Sequence, residues 1–152
     1  MEIARFLKQK WNSDSGNKIE CLQIKKETKR MSVTITPINL KAADERGALH
    51  YFSTERTGEF LLVYRNAGSI SGQHYHKGIS AGKNPEDMLL VHGKASLHWK
   101  NIKTNQEETI ELVAPTRVII QPNVWHALTA ITDIVFVELN SLADGSEDTY
   151  RL

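Results

Sequence analysis

Three histidines and one glutamate have types and a spacing that fit a metal site. His74 and His76 flank Tyr75, Glu86 follows the next loop, and His126 lies further along the chain. Residues two apart on a β-strand point to one face, so both imidazoles can approach one point while Tyr75 faces away. Imidazoles and a carboxylate suit divalent metals and leave coordination positions open. The sequence therefore predicts His74, His76, Glu86 and His126 as ligands of one divalent ion, zinc first, with iron, manganese, nickel or copper as alternatives.

Each of these residues also has an ordinary structural explanation. His126 would then pack at the rim of a barrel, and Glu86 would cap or face solvent in its loop. The other three histidines, His50, His92 and His98, lie in strand-like runs, where histidine is more often half-exposed than a ligand. His98 in particular is predicted to face outward.

A base for proton transfer must be an inward-facing residue that is not already a metal ligand. It must lie within about 3 Å of the proton that it removes. His50 and Tyr64 are the catalytic candidates, since each lies in a strand-like run. The alternative is that His50 lies on the surface and Tyr64 packs as a barrel aromatic.

Short strands are the elements that must position these residues. From Met31 onward, short alternating runs are separated by turn residues, which is typical of a sandwich or small barrel. The candidate strands are Leu49–Phe52, Phe60–Arg65, Gly72–His76, Met88–His92, Ala95–Lys100, Thr109–Val113, Arg117–Gln121, Ala127–Ala130 and Ile134–Asn140. They suffice for an all-β jelly-roll barrel. The glycines and the proline of segment 77–85 predict an irregular, flexible loop at the barrel mouth.

The first thirty residues differ from this pattern. Ile3, Phe6, Leu7 and Trp11 fall at helical spacing and form one apolar stripe. We predict an N-terminal extension with a short helix over residues 1–30 and a barrel domain over residues 31–152. A helix of this length is marginal in water unless it packs against a surface. We therefore expect a homodimer.

Composition limits the classes of partner. The chain of 152 residues has 19 Lys and Arg against 18 Asp and Glu, so no strong field attracts nucleic acid or an anionic membrane. The single cysteine, Cys21, cannot form an internal disulfide, and no apolar run is long enough to span a bilayer. These features predict a cytoplasmic protein that binds a small molecule, and neither nucleic acid nor membrane.

The predicted ligands lie in a pattern that resembles the cupin superfamily. Gly68, His74, His76, Glu86 and Gly93 follow the order of its first motif, with a longer spacer before the glutamate. The segment Pro122 to His126 resembles the second motif, one residue shorter than usual between proline and histidine. The resemblance implies a double-stranded β-helix, the cupin jelly-roll barrel.

A narrower resemblance covers about two thirds of the chain. It is to the cupin domain of capsular-polysaccharide UDP-sugar reductases and to dTDP-sugar isomerases and 3,5-epimerases. The segments that carry it are 44–49, 57–60, 72–76, 93–95, 122–126 and 147–151. One departure is Ser71-Gly72, where those families have Arg-Gly with a substrate-holding arginine. A serine cannot clamp a phosphate bidentately, although Arg65, Lys77 or Lys83 lie near enough in sequence to compensate.

The resemblance implies a metal-assisted isomerase or epimerase that acts next to a carbonyl of a sugar or sugar nucleotide. One alternative is a non-catalytic cupin that binds a carbohydrate-derived small molecule. Another is an Fe(II)-dependent dioxygenase, since three histidines and a glutamate also suit dioxygen chemistry. The fold does not choose among these activities.

Overall fold

The computed structural model describes residues 28–29, 32–140 and 146–152. The predicted N-terminal helix lies outside these residues. The strands are β1 (Thr28–Lys29), β2 (Val33–Pro37), β3 (Asn39–Asp44), β4 (Gly47–Tyr51), β5 (Leu61–Arg65), β6 (Ile70–His74), β7 (Glu86–His92), β8 (Lys94–Asn101), β9 (Glu107–Val113), β10 (Thr116–Ile120), β11 (Val124–Ala130) and β12 (Ile134–Glu138). Two 3₁₀ turns span Ala81–Lys83 and Ser146–Asp148. The predicted all-β class is confirmed.

The larger of two compact units holds residues 26–37 and 54–152, within the described ranges. Its strands form two antiparallel sheets, one with the order β1-β2-β10-β7-β12-β5 and one with the order β6-β11-β8-β9. Neighbouring strands are often distant in sequence, as in the pairing of β10 with β2 and of β12 with β7. This is the jelly-roll arrangement that the short alternating strands predicted.

The hydrophobic core lies between the two sheets. On β8, Ala95, Leu97 and Trp99 are fully buried and alternate with more exposed residues, as expected of a strand with one face on a core. Phe136 on β12 and Val118 on β10 join the same cluster from the other sheet. Burial of each large side chain contributes about 1.5–3 kcal/mol relative to exposure. The core thereby fixes which face of these strands points inward.

The smaller unit contains the hairpin of β3 and β4, within residues 38–53. Asp44 accepts hydrogen bonds from the backbone and the guanidinium of Arg46 at the turn. Both strands are largely exposed, including the apolar side chains of Leu40, Leu49 and Tyr51. The sequence predicted a strand near β4 and missed β3, whose polar and small residues lack an alternating pattern.

The loop 77–85 was expected to contain no regular element, which is wrong for the 3₁₀ turn Ala81–Lys83. Among the described residues, no helix has the length and apolar character needed to cross a bilayer. Cys21, on which the predicted cytoplasmic location rests, lies outside those residues, as does most of the proposed extension 1–30. Both remain predictions.

Gly93 makes the one-residue connection between β7 and β8 and provides a test of the fold. Its φ is +85°, and a Cβ there would lie 2.3 Å from the carbonyl oxygen of Asp133. Gly68 has a similar φ of +82° but open space at the Cβ position. We expect Gly68→Ala to cost about 1–2 kcal/mol of unfolding free energy from backbone strain alone, and Gly93→Ala to cost clearly more.

Urea denaturation of both variants measures this difference. Because the two glycines share the left-handed conformation, the excess cost of Gly93→Ala isolates the backbone clash. Equal losses in the two variants would contradict the close packing of this connection.

Candidate metal centre

Sheet pairing brings the predicted ligands of β6 and β11 together. His74 and His126 are direct partners across the two strands, with a register shift just beyond them. Gly72 permits this close approach, because its φ is +85° and a Cβ there would lie 2.9 Å from the carbonyl oxygen of His126. Glu86 is the first residue of β7, in the opposite sheet. The site therefore lies between the sheets, where each contributes side chains.

The four predicted ligands form one cluster. Each of His74, His76, Glu86 and His126 offers a ligand atom within 4.8 Å of the others. The ring centroid of His74 lies 4.7 Å from that of His76 and 4.8 Å from that of His126. His74 is half-buried, and the other three residues are buried. A single ion with bonds of about 2.0–2.2 Å needs a cluster of this size.

All three imidazoles are oriented in the same way. The Nδ1 atom of His74 lies 3.1 Å from the carbonyl oxygen of Gly72, and that of His126 lies 3.1 Å from the carbonyl oxygen of Val124. The Nδ1 atom of His76 lies 2.6 Å from the carbonyl oxygen of Asp148. A carbonyl can only accept, so each Nδ1 carries the proton that it donates. The lone pairs on the three Nε2 atoms are thereby directed at the cluster.

Glu86 divides its two carboxylate oxygens between different partners. Oε1 accepts hydrogen bonds from Lys83 Nζ at 3.1 Å and from Asn140 Nδ2 at 3.0 Å. Oε2 lies 3.3 Å from His76 Nε2 and 3.1 Å from His126 Nε2. At those distances Glu86 Oε2 and His76 Nε2 are nevertheless buried without an aligned hydrogen bond. Unsatisfied buried atoms of metal-ligating type fit a divalent ion bound between them.

The charges of the cluster are strongly coupled. Burial acts to raise the pKa of Glu86, but His126, His76 and Lys83 outweigh it and hold that pKa well below its usual range. Burial, with smaller effects from neighbouring groups, lowers the pKa of His74 to about 4, so its ring is neutral at neutral pH. Burial also acts to lower the pKa of His126, yet Glu86 raises it overall. Glu86 is therefore ionised, and His126 holds a proton more strongly than His74 does.

The C-terminal segment completes the site through Asp148. Its buried carboxylate accepts backbone hydrogen bonds from Lys77 at 2.9 Å, Ile79 at 2.7 Å and Ser80 at 3.1 Å, while its own carbonyl holds His76. Tyr150 pairs with Tyr75 through two backbone hydrogen bonds. One buried residue thus fixes both the His76 ring and the start of the loop 77–85.

The far part of that loop has a second anchor. The guanidinium of Arg56 donates hydrogen bonds to the carbonyl oxygens of Ala81 and Pro85. Lys83, between them, is buried against Glu86. The loop that the sequence predicted as flexible is therefore tied to the structure at three places.

A small cavity of about 40 Å³ opens beside the cluster. Its polar lining comes from Ser71, His74, Glu86, His126 and Glu138. The remaining lining residues are Gly72, Met88, Leu97, Ile120, Leu128 and Phe136, most of them apolar. A largely apolar pocket with a few convergent polar groups is typical of a small-molecule site.

The other predicted residues lie elsewhere. Tyr64 is 67% exposed on β5 and does not line the cavity. His50 belongs to the smaller unit, where its exposed ring contacts the carbonyl oxygen of Ile38 at 3.1 Å. His98 is exposed, as predicted, and so is His92. The catalytic assignments of His50 and Tyr64 therefore stay predictions without support from the cavity lining.

Sequence reasoning missed three residues of the site, Glu138, Asn140 and Asp148, and it considered Lys83 only as a cation for an anionic substrate group, not as the partner of Glu86. Glu138 and Asn140 continue the alternation that buries Ile134 and Phe136, so the two-residue period was a usable signal. Asp148 lies in the C-terminal segment quoted for the resemblance, but nothing in its spacing indicated burial. The contact of Lys83 with Glu86 had no signal in the sequence, since it depends on the fold of the loop.

Comparison with solved structures identifies proteins of similar fold. No family model and no curated protein matches the sequence. A variant of the 3,4-ketoisomerase from Thermoanaerobacterium thermosaccharolyticum, solved with TDP-4-keto-6-deoxyglucose, is 19% identical with a TM-score of 0.63, over 82% of this chain and 90% of that chain. The dTDP-4-dehydrorhamnose 3,5-epimerase from Sulfolobus tokodaii is 15% identical with a TM-score of 0.58, over 72% and 70%. The chain has a cupin fold.

A third similar structure is the capsular polysaccharide assembling protein from Staphylococcus aureus. It is 19% identical with a TM-score of 0.51, and the match covers 76% of this chain but 32% of that longer chain. The predicted cupin resemblance is confirmed at the level of fold. Identities this low establish the shared cupin barrel, and the activity must be argued from the site.

Asp148 provides a test of the site's architecture. In Asp148→Asn, an amide NH₂ replaces one acceptor oxygen and faces backbone N–H donors, so at least one of them loses its partner. We expect a loss of roughly 1–3 kcal/mol in unfolding free energy, measured by urea denaturation, and a shift of the His76 Nδ1 proton resonance.

The matched control is Glu147→Gln, which removes the neighbouring exposed carboxylate. It is expected to stay within about 0.5 kcal/mol of the parent protein. If the two variants unfold at the same urea concentration, Asp148 does not hold the segment as described.

Proposed function

We propose that this protein is a metal-binding cupin that acts as an isomerase or epimerase next to a carbonyl of a sugar or sugar nucleotide. The observation that carries the proposal is the convergence of three oriented Nε2 atoms and one free carboxylate oxygen beside a cavity. His74, His76, Glu86 and His126 would hold the ion. Zinc is our first expectation, with iron, manganese or nickel as alternatives.

The metal ligands, the partners of Glu86 and the cavity wall would have different roles in the reaction. A divalent ion held by the cluster would supply Lewis-acid stabilisation of negative charge on a carbonyl oxygen, worth several kcal/mol. Lys83 and Asn140 hold Oε1 of Glu86, so Oε2, which lies near the Nε2 atoms of His76 and His126, would be the oxygen available to bind the ion. The apolar wall of the cavity excludes water from the reacting carbons, which strengthens the electrostatic interactions there.

A carbohydrate-derived substrate is supported by two observations. The ketoisomerase from Thermoanaerobacterium thermosaccharolyticum was solved with a keto-deoxy-sugar nucleotide. In the present chain, Arg65 donates a hydrogen bond to the hydroxyl of Ser71 at 2.9 Å, and Ser71 lines the cavity. Arg65 thus brings a cation to the position where the resemblance implied an arginine. Its exposed guanidinium is suited to a phosphate or carboxylate group.

The other two candidate cations are already engaged. Lys83 is buried in its ion pair with Glu86, and the ammonium group of Lys77 lies 3.9 Å from the ring centroid of Tyr150. Of the three cations considered from the sequence, Arg65 is therefore our choice for holding an anionic substrate group.

Metal binding can be tested by alanine substitution at each proposed histidine ligand. Purified protein is expected to bind one zinc ion per chain, and His74→Ala, His76→Ala and His126→Ala are each expected to lose it. The affinity should fall as the pH drops below about 6, because protons compete for the imidazoles. His126, whose pKa is raised, should take up its proton before His74, whose pKa is lowered.

Metal content is measured by elemental analysis, and affinity by calorimetry at several pH values. His92→Ala serves as the control, since His92 is exposed at the far end of β7. Unchanged stoichiometry in any of the three ligand variants would overturn the assignment of that residue. Iron with oxygen consumption would indicate a dioxygenase, and no metal would indicate a binding protein.

We also propose that the protein is a homodimer. The β3–β4 hairpin exposes apolar side chains, and a two-stranded sheet is marginal without a further surface. The edge strand β5 likewise exposes Leu62, by 57%, and Tyr64. We expect light scattering to give twice the chain mass, and Leu49→Glu together with Leu62→Glu to shift it towards the monomer. A monomer in the parent protein would contradict this proposal.

A further inference from the structure

Glu138 is the last residue of β12 and continues the row of inward-facing side chains towards the proposed metal centre. Ile134 and Phe136 on the same face are buried in the core, and Asn140 at the other end binds Glu86. Alternate residues of a strand share a face, so the Glu138 carboxyl points into the barrel where this row changes from apolar to polar. Its cross-strand partner is Met88, two residues from Glu86.

The carboxyl of Glu138 faces the same space as the open side of the cluster. Glu138 lines the cavity together with His74, Glu86 and His126. With a volume of about 40 Å³, the cavity is so small that a group within it lies close to both walls. A ligand carbon beside the cluster would therefore be within reach of Glu138, as a general base requires.

In the part of the chain that the structure describes, Glu138 has no structural partner that would explain its position. Within the ranges 32–140 and 146–152, no hydrogen bond or ion pair joins its carboxyl. A carboxylate placed in a largely apolar cavity without a partner is destabilising. Burial, with a smaller effect from Glu86, raises the pKa of Glu138 above its usual range.

We infer that Glu138 is the group that removes and returns the substrate proton, and that the reaction is an isomerisation between adjacent carbons. This inference rests on the proposed function. The C–H bond next to the carbonyl breaks, its proton goes to Glu138, and its electron pair forms an enediolate with the carbonyl oxygen. The proton of the hydroxyl group on the deprotonated carbon moves to that oxygen. Glu138 then returns its proton to the former carbonyl carbon. The carbonyl has then moved by one position, with no external oxidant or reductant.

The cavity lining distinguishes isomerisation from epimerisation. Inversion at one carbon requires a second acid on the opposite face of the ring. Apart from the proposed metal ligands, Glu138 is the one ionisable side chain among the described residues that line the cavity. A single base can transfer a proton between neighbouring carbons on the same face. The lining therefore favours a ketose-type isomerisation.

The test compares the parent protein with Glu138→Gln, using zinc-loaded protein and a set of keto-sugars and keto-sugar nucleotides in deuterium oxide. We expect Glu138→Gln to keep its zinc content, its melting temperature and its ligand affinity. Proton exchange next to the carbonyl, followed by NMR, should fall about 10²- to 10⁴-fold, with kcat reduced and KM little changed. His92→Ala, a substitution at an exposed histidine of β7 that does not line the cavity, should exchange at the parent rate.

Four results would overturn the inference. Exchange by Glu138→Gln at the parent rate would exclude Glu138 as the base while leaving the proposed function intact. Loss of zinc from the Glu138→Gln protein would indicate that Glu138 is a metal ligand and not the base. A product inverted at the exchanged carbon would exclude isomerisation by a single base. If the parent protein exchanges no candidate, the proposed function fails and the inference fails with it.

Discussion

A buried, ionised carboxylate is the constraint on which the rest of the site depends. Glu86 is 7% exposed, and an isolated charge at such a position costs several kcal/mol. The structure compensates that charge with Lys83 and Asn140 on one oxygen and with His76 and His126 near the other. The imidazoles, the loop lysine and the end of β12 are therefore drawn to one point by the same charge.

The chain's C-terminal segment also supports the metal-ligand cluster. His76 follows the end of β6, so strand pairing with β11 does not reach it, and its orientation depends on the carbonyl oxygen of Asp148. The Asp148 carboxylate binds three backbone N–H groups of the adjacent loop, and these hydrogen bonds lower the pKa of its carboxyl despite burial. The residues around 148 are thus part of the functional site, although they lie outside the barrel sheets.

The combination of a charged cluster with an apolar cavity also bears on the choice between a binding protein and an enzyme. A module that only binds a ligand needs polar groups that recognise it, and each would be satisfied in the complex. Glu138 instead presents to the space beside the proposed metal centre a carboxyl that has no hydrogen bond or ion pair among the described residues, and such a group is destabilising there. This contrast is the physical reason to favour catalysis.

The sequence by itself determined the strands and the proposed ligand set. Alternation of apolar residues in segments such as Ala95 to Trp99 depends on local geometry, and the spacing of His74 and His76 fixes a shared direction wherever the backbone is extended. Only the tertiary structure decided the supporting contacts. Asp148 lies 72 residues from His76, and Asn140 lies 54 residues from Glu86, so no local pattern could reveal these pairs. Tyr64 is exposed and Glu138 faces the cavity because strand order sets which neighbours cover each strand, and that order depends on long-range pairing.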